Sequence, residues 1–192
     1  MTLINEIKFI KGAYGFENLG TCAFSSKTPW AQKSYSTVYG YAFKSPEKRT
    51  WIAIYIPKSS RKFRENNGLP DISKFEGFIG AFQEIIRVEE PIYNHWGIDK
   101  RWDLGIPAKR LLAFKEPKIH ISDIFRTPEL GAFYAATTSS AAYEINTSLE
   151  SFLLDRINIA DLYEVNLEKK YIDKSCEIIN PHAKEFLENL EK

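Results

Sequence analysis

Three of the four tryptophans stand among polar or basic neighbours: Trp30 follows Lys-Thr-Pro, Trp96 follows Tyr-Asn-His, and Trp102 follows Lys-Arg. A flat ring in such a loop either covers the edge of a core or stacks on a flat ligand, and stacking on a nucleobase is worth ~1–3 kcal/mol per base. Lys58, Arg61, Lys62 and Arg64, with the pair Lys100 and Arg101, supply cations for phosphate contact in the same stretches. Trp51 differs, because it lies in an alternating apolar run and reads as core.

Bond-making chemistry has less to work with. The chain contains no GxGxxG, P-loop, GxSxG or HExxH. His95, His120 and His182 are scattered and read as surface or rim residues. Asp71 with Glu116-Pro117-Lys118 is a poor match to a magnesium nuclease, since Pro117 would interrupt the strand that carries it. Cys22 has no basic activator near it in sequence, and with Cys176 it forms neither a CxxC nor a zinc spacing. The expectation is a binding protein rather than an enzyme, with no metal and no cofactor.

The elements that must position these residues are mixed. Residues 35–58 read as a hairpin: Thr37, Tyr39, Tyr41 and Phe43 alternate, 45–49 make the turn, and 51–56 alternate aromatic and β-branched residues. Residues 59–74 have a loop composition. A long strand starts at residue 75, with Gly77 and Gly80 marking a bulge, a bend or a close approach. Residues 91–103 form a loop, and 104–114 a strand that Pro107 either places at an edge or makes start late. Thr147 and Glu150 are spaced as a capping box before a helix with Leu149, Phe152, Leu153 and Ile157 on one face. A strand over 159–167 and a helix opened by Asn180-Pro181 follow. The fold class is α+β.

Length and charge bound the rest. The 192 residues suit a single domain, 1–192, and 14% aromatic content is too high for a disordered chain. A net charge of +1 excludes a general polycation and leaves room for a local basic patch. No apolar run approaches the ~18 residues of a membrane span, so a soluble, cytoplasmic protein without membrane contact is expected.

The order of Trp30, Tyr41-Ala42-Phe43-Lys44-Ser45, Trp51-Ile52-Ala53-Ile54-Tyr55, Gly77-Phe78-Ile79-Gly80-Ala81-Phe82 and Pro91-Ile92-Tyr93-Asn94-His95-Trp96 resembles the PUA-like superfamily, in particular its YTH and EVE branches. The resemblance covers about residues 28–120; the helical and strand portion 127–192 has no counterpart in it. It implies a small β-barrel or half-barrel with peripheral helices, in which an aromatic cage receives a flipped, methylated base. Trp30 and Trp96 match two walls, with Trp102 or Tyr93 as a third, and Asn94 and Asp103 stand where they can bond the base edge. The GxKxxExR motif of the ASCH branch is absent, which argues against its RNA-cleaving role. The implied function is the reading head of a modification-dependent restriction system, with DNA favoured over RNA and an effector nuclease or NTPase subunit as partner. The alternatives are a metal-dependent or base-excising DNA-cleaving enzyme and a protein-interaction module.

Overall fold

The structure is a computed structural model that describes residues 4–12, 21–24, 28–44, 49–58, 60–66, 68, 71–85, 104–138 and 142–165. Among the described residues seven strands form one mixed sheet: β1 (Ile7–Gly12), β2 (Thr21–Phe24), β3 (Thr50–Tyr55), β4 (Ile79–Ile85), β5 (Leu104–Phe114), β6 (Ala142–Glu144) and β7 (Leu162–Glu164). Their order is β2-β5-β4-β3-β1-β6, with β7 also paired to β5. Only β1 and β3 run parallel; the other pairs are antiparallel. The α+β expectation holds, but the sheet is open, since β2 and β6 end the order unpaired to each other.

All residues of β3 and β4 are buried, because both faces of the sheet are covered. One face carries Ile7, Ile10, Trp51, Ala53, Phe82, Leu112 and Phe114 under the helices α3 (Ile121–Ile124), α4 (Thr127–Thr138) and α5 (Thr147–Leu154). The other carries Phe9, Cys22, Phe24, Ile52, Ile54, Ala81 and Leu111 under α1 (Pro29–Lys44). This second face is hollow. On a flat sheet β1 and β2 would stand about four strand spacings apart, roughly 19 Å, yet the Lys11 ammonium lies 4.6 Å from the centre of the Phe24 ring. The sheet therefore curls around α1 without closing.

Several expectations are corrected here. Residues 35–43 belong to a helix, so 35–58 is a helix followed by a strand and not a hairpin. Thr28-Pro29 opens it, with Pro29 in the first turn and the Thr28 carbonyl accepting from Gln32 N–H at 3.0 Å. The inward residues Ala31, Tyr35 and Val38 follow helical spacing, whereas the alternating Thr37, Tyr39 and Tyr41 are only partly buried. Ser36 and Thr37 donate to the carbonyls of Gln32 and Lys33, which reconciles two hydroxyls with a helix interior.

The loop expected over 59–74 contains a second helix, α2 (Ser60–Asn66), and a 3-10 turn, Ser73–Phe75. β4 begins later than expected, and Gly80 is the extra residue of a bulge, since Ile79 faces Tyr55 while Ala81 faces Ile54. Gly77 has φ +82°, and a Cβ there would collide with His120 Nε2. β5 runs uninterrupted from residue 104 and is not an edge. Pro107 sits where pairing passes from β2 to β4, which spares the ladder a missing donor.

α5 is capped by Asn146, whose side chain accepts from Leu149 N–H at 2.9 Å, and not by Thr147. Its Glu150 turns away from a capping role to accept from Ile7 N–H (2.9 Å) and Lys8 Nζ (2.8 Å), which fastens α5 to β1. The strand expected over 159–167 is a 3-10 turn, Ile159–Asp161, followed by the short β7. The expected helix after residue 180, with Cys176 and His182, lies outside the described residues.

Candidate nucleic-acid interface

Trp30 stands in the first turn of α1 rather than in a loop, and it is 69% exposed, more than any other large hydrophobic side chain described. Side chains fix where that turn lies. Ser34 meets the backbone of Ala142, level with Lys11 and Ile54, whereas Tyr41 meets Glu144, level with Phe9 and Ile52. α1 thus runs antiparallel to β3, and Trp30 lies toward the end at which β3 finishes. From that end the chain leaves through Pro57 and Lys58 into α2. The exposed aromatic and the basic helix consequently share one end of the sheet.

The cations there differ in availability. Lys33, Lys58 and Lys62 are exposed, and among the described residues none of them enters an ion pair. Arg61 is half-exposed but committed, since Nε and Nη2 donate to the two oxygens of Glu76 at 2.9 and 3.0 Å. Arg64 is buried. Of the four residues expected to bind phosphate in this stretch, Lys58 and Lys62 present open charge.

Beside α2 lies a cavity of about 110 Å³ lined by Ser60, Arg61, Arg64, Glu65, Asp71, Ile72, Ser73 and Glu76. Asp71 accepts from Ser73 N–H at 2.8 Å, and its bonds to Ser73, aided by the charges of Arg61 and Arg64, hold its carboxyl below the usual range. Although three carboxylates line this cavity, no group of three or more His, Cys, Asp or Glu side chains among the described residues is placed to share a metal ion. Of the residues weighed for a nuclease, Lys118 bonds Asp161 at 3.0 Å and Glu116 is exposed.

A second polar group sits inside the sheet. Trp51, Glu84 and Arg110 face one another across β3, β4 and β5. Arg49 Nε approaches Glu84 Oε1 at 3.4 Å and Arg110 pairs with Glu164, but Trp51 Nε1 and Glu84 Oε2, both buried, have no hydrogen-bond partner among the described residues. The core role expected of Trp51 agrees with its burial; the unmet indole donor leaves no trace in a sequence pattern. Cys22 is buried in β2, where burial pushes its thiol up to about 12, far from a nucleophile's range. His120 caps α3 and packs against the Phe78 ring at 4.8 Å.

Tyr93, Asn94, Trp96, Lys100, Arg101, Trp102 and Asp103, with His95, lie outside the described residues, so of the expected cage only Trp30 is placed. Among the described residues no helix is long and apolar enough to cross a membrane. Comparison with protein-family models, with curated proteins and with solved structures finds no match to this chain.

Proposed function

We propose that the chain is a nucleic-acid-binding domain that works from the end of the sheet shared by Trp30 and α2. The carrying observation is the exposure of Trp30, 69% on the opening turn of α1, one helical turn before the exposed Lys33. A tryptophan presents 150–250 Å² of ring surface, and leaving most of it in water while Tyr35 and Val38 of the same helix are buried favours a stacking role over a core role. Lys58 and Lys62 supply the phosphate contacts that such stacking needs.

The proposal includes a methylated base as preferred ligand, DNA in preference to RNA, and an effector nuclease or NTPase chain acting on the captured site. A curled, open sheet with a helix in its hollow suits the PUA-like half-barrel on which that finer reading rests. The protein binds and does not cut.

Fluorescence anisotropy with methylated and plain, single- and double-stranded oligonucleotides across a salt series tests this. Salt-dependent binding is expected, weakened by ~1–3 kcal/mol in Trp30→Ala without change in the circular dichroism spectrum. Absence of salt-dependent binding defeats the proposal. Strand scission or base release by the wild-type protein with any divalent metal transfers the case to the enzyme alternative.

A further inference from the structure

β6 ends the sheet, so one of its sides has no strand beside it among the described residues. Its register on β1 pairs Phe9 with Glu144, Ile10 with Tyr143 and Lys11 with Ala142, and Ile145 N–H donates to the Lys8 carbonyl at 2.9 Å in the same register. Hydrogen-bonded and non-hydrogen-bonded pairs alternate along an antiparallel ladder. Tyr143 and Ile145 therefore bond inward to β1, and Ala142 and Glu144 turn their backbone N–H and C=O groups outward. Such a row of outward groups is what a further strand would pair with.

Helix α1 meets both outward positions. At Ala142 a single hydroxyl serves both backbone groups: Ser34 Oγ accepts from the N–H at 3.1 Å and donates to the C=O at 3.3 Å. A residue of a neighbouring strand would make the same two bonds, so this side chain takes the place of a strand. At Glu144 the carboxylate accepts from the Tyr41 hydroxyl at 2.9 Å. Ser34 and Tyr41 are about two turns apart, which lays one side of α1 along the edge. Ser36 and Thr37 turn back onto carbonyls of their own helix, whereas Ser34 reaches out of it.

We propose that Ser34 is an edge guard, whose hydroxyl keeps β6 from extending the sheet into β6 of a second copy of the chain. The edge suits that partner. Two β6 strands related by a twofold axis at Tyr143 would set Ala142 of one copy opposite Glu144 of the other in both outward pairs. Each outward N–H and C=O would then find a mate, and the two Glu144 side chains would not stand directly opposed. Both pairs need Ala142, so a hydroxyl on that one residue blocks the whole match. The device is independent of what the chain binds.

Sedimentation equilibrium of the full chain over a range of concentrations compares wild type with Ser34→Ala, with Ser34→Thr, and with Ser34→Ala combined with Ala142→Pro. Ser34→Ala is expected to self-associate at least about tenfold more tightly than wild type, the scale of one or two net hydrogen bonds. Ser34→Thr keeps the hydroxyl and should match wild type. Proline removes the Ala142 N–H, which bonds no strand of its own chain, and should return the double variant to the wild-type level. Hydrogen exchange on the wild-type protein reads the same contact without a substitution: relative to intrinsic rates, the Ala142 amide should exchange at least about tenfold more slowly than the outward amide of Glu144. A folded Ser34→Ala variant that associates no more than wild type overturns the proposal. So does association that survives Ala142→Pro, a Ser34→Thr variant that associates as Ser34→Ala does, or equal protection of the two amides.

Discussion

Replacing Lys11 should flatten the pH dependence of stability between pH 8 and 9. Lys11 is 5% exposed in the hollow of the sheet, and burial lowers its ammonium from 10.5 to about 8. Between those two values the unfolded chain carries a proton that the native state lacks, so stability rises with pH by about 1.4 kcal/mol per unit. Cys22 acts in the opposite sense. Its thiol moves from 9.0 to about 12, so between those values the native state keeps a proton that the unfolded chain has lost, and stability falls with pH. The wild-type curve should climb from pH 8 to 9, run level to about 10.5 while the two slopes cancel, and then fall. The raised Lys8 ammonium and Tyr41 phenol steepen only that last limb, because they favour the native state below their ordinary values and lose the advantage above them.

Lys11→Met removes the cost of burying the ammonium, about 3 kcal/mol at pH 7 from the displacement of its titration, and forfeits the contacts of the ammonium, that with the Phe24 ring (about 1–2 kcal/mol) among them. The climb between pH 8 and 9 is expected to be gone. Cys22→Ala should lower stability by about 1 kcal/mol below pH 9, through lost packing, and extend the climb past pH 9, so that the deficit shrinks and then reverses as pH rises. Urea unfolding followed by tryptophan fluorescence at intervals from pH 7 to 11 reads both effects. A Lys11→Met curve parallel to wild type between pH 7.5 and 9 would refute the reasoning.

Gly77→Ala should cost about 2 kcal/mol or more in thermal or urea unfolding, since the residue sits at φ +82° and a Cβ would drive into the His120 ring; a loss under 0.5 kcal/mol would contradict that geometry. Glu150→Gln should cost about 1 kcal/mol and Glu150→Ala about 2–3 kcal/mol, because only the second strips the acceptor from the buried Ile7 N–H; equal losses in urea unfolding would deny that distinction. Replacing Lys58 and Lys62 by Ala should shrink the slope of log K against log salt by roughly 1–2 for duplex or single-stranded ligands, whatever their sequence, and an unchanged slope removes both from the interface.

The readable parts of the sequence were those where one physical pattern ruled. β3 is a run of β-branched and aromatic residues, and the apolar spacing of α5 matches its packing, with Leu153 buried and Leu149, Phe152 and Ile157 against the same core. α1 escaped because its odd-numbered aromatics imitate a strand, while the true stripe of Ala31, Tyr35 and Val38 includes a polar-tipped ring and a small residue that carry little hydrophobic signal. Thr28-Pro29 was the helix-start signal that outweighed the alternation. β1 hides its period of two behind a register shift between Ile7 and Phe9, which turns Ile7 and Ile10 to the same face. At the candidate interface, residue type pointed to Trp30, Lys58 and Lys62. The pairing of Arg61 with Glu76 and the burial of Arg64 depend on how α2 packs beside the turn before β4, a contact between segments that local composition does not encode.

The insertion of β1 between β3 and β6 also has a meaning for how the chain is made. β1 leaves the ribosome about 130 residues before β6 does, and at ~5–20 residues per second that interval is roughly 7–26 s. During it the segment Ile7–Gly12 can dock on β3 along one side only, and the clasp of Glu150 on Ile7 and Lys8 arrives later still. An apolar strand with an open side for that long is a ready binding site for a chaperone, and in crowded synthesis a template for pairing with the same segment of a neighbouring nascent chain. The antiparallel neighbours β3, β4 and β5 emerge in sequence and can pair as they appear, so the burden of assisted assembly falls on the first strand and on the short one that closes beside it.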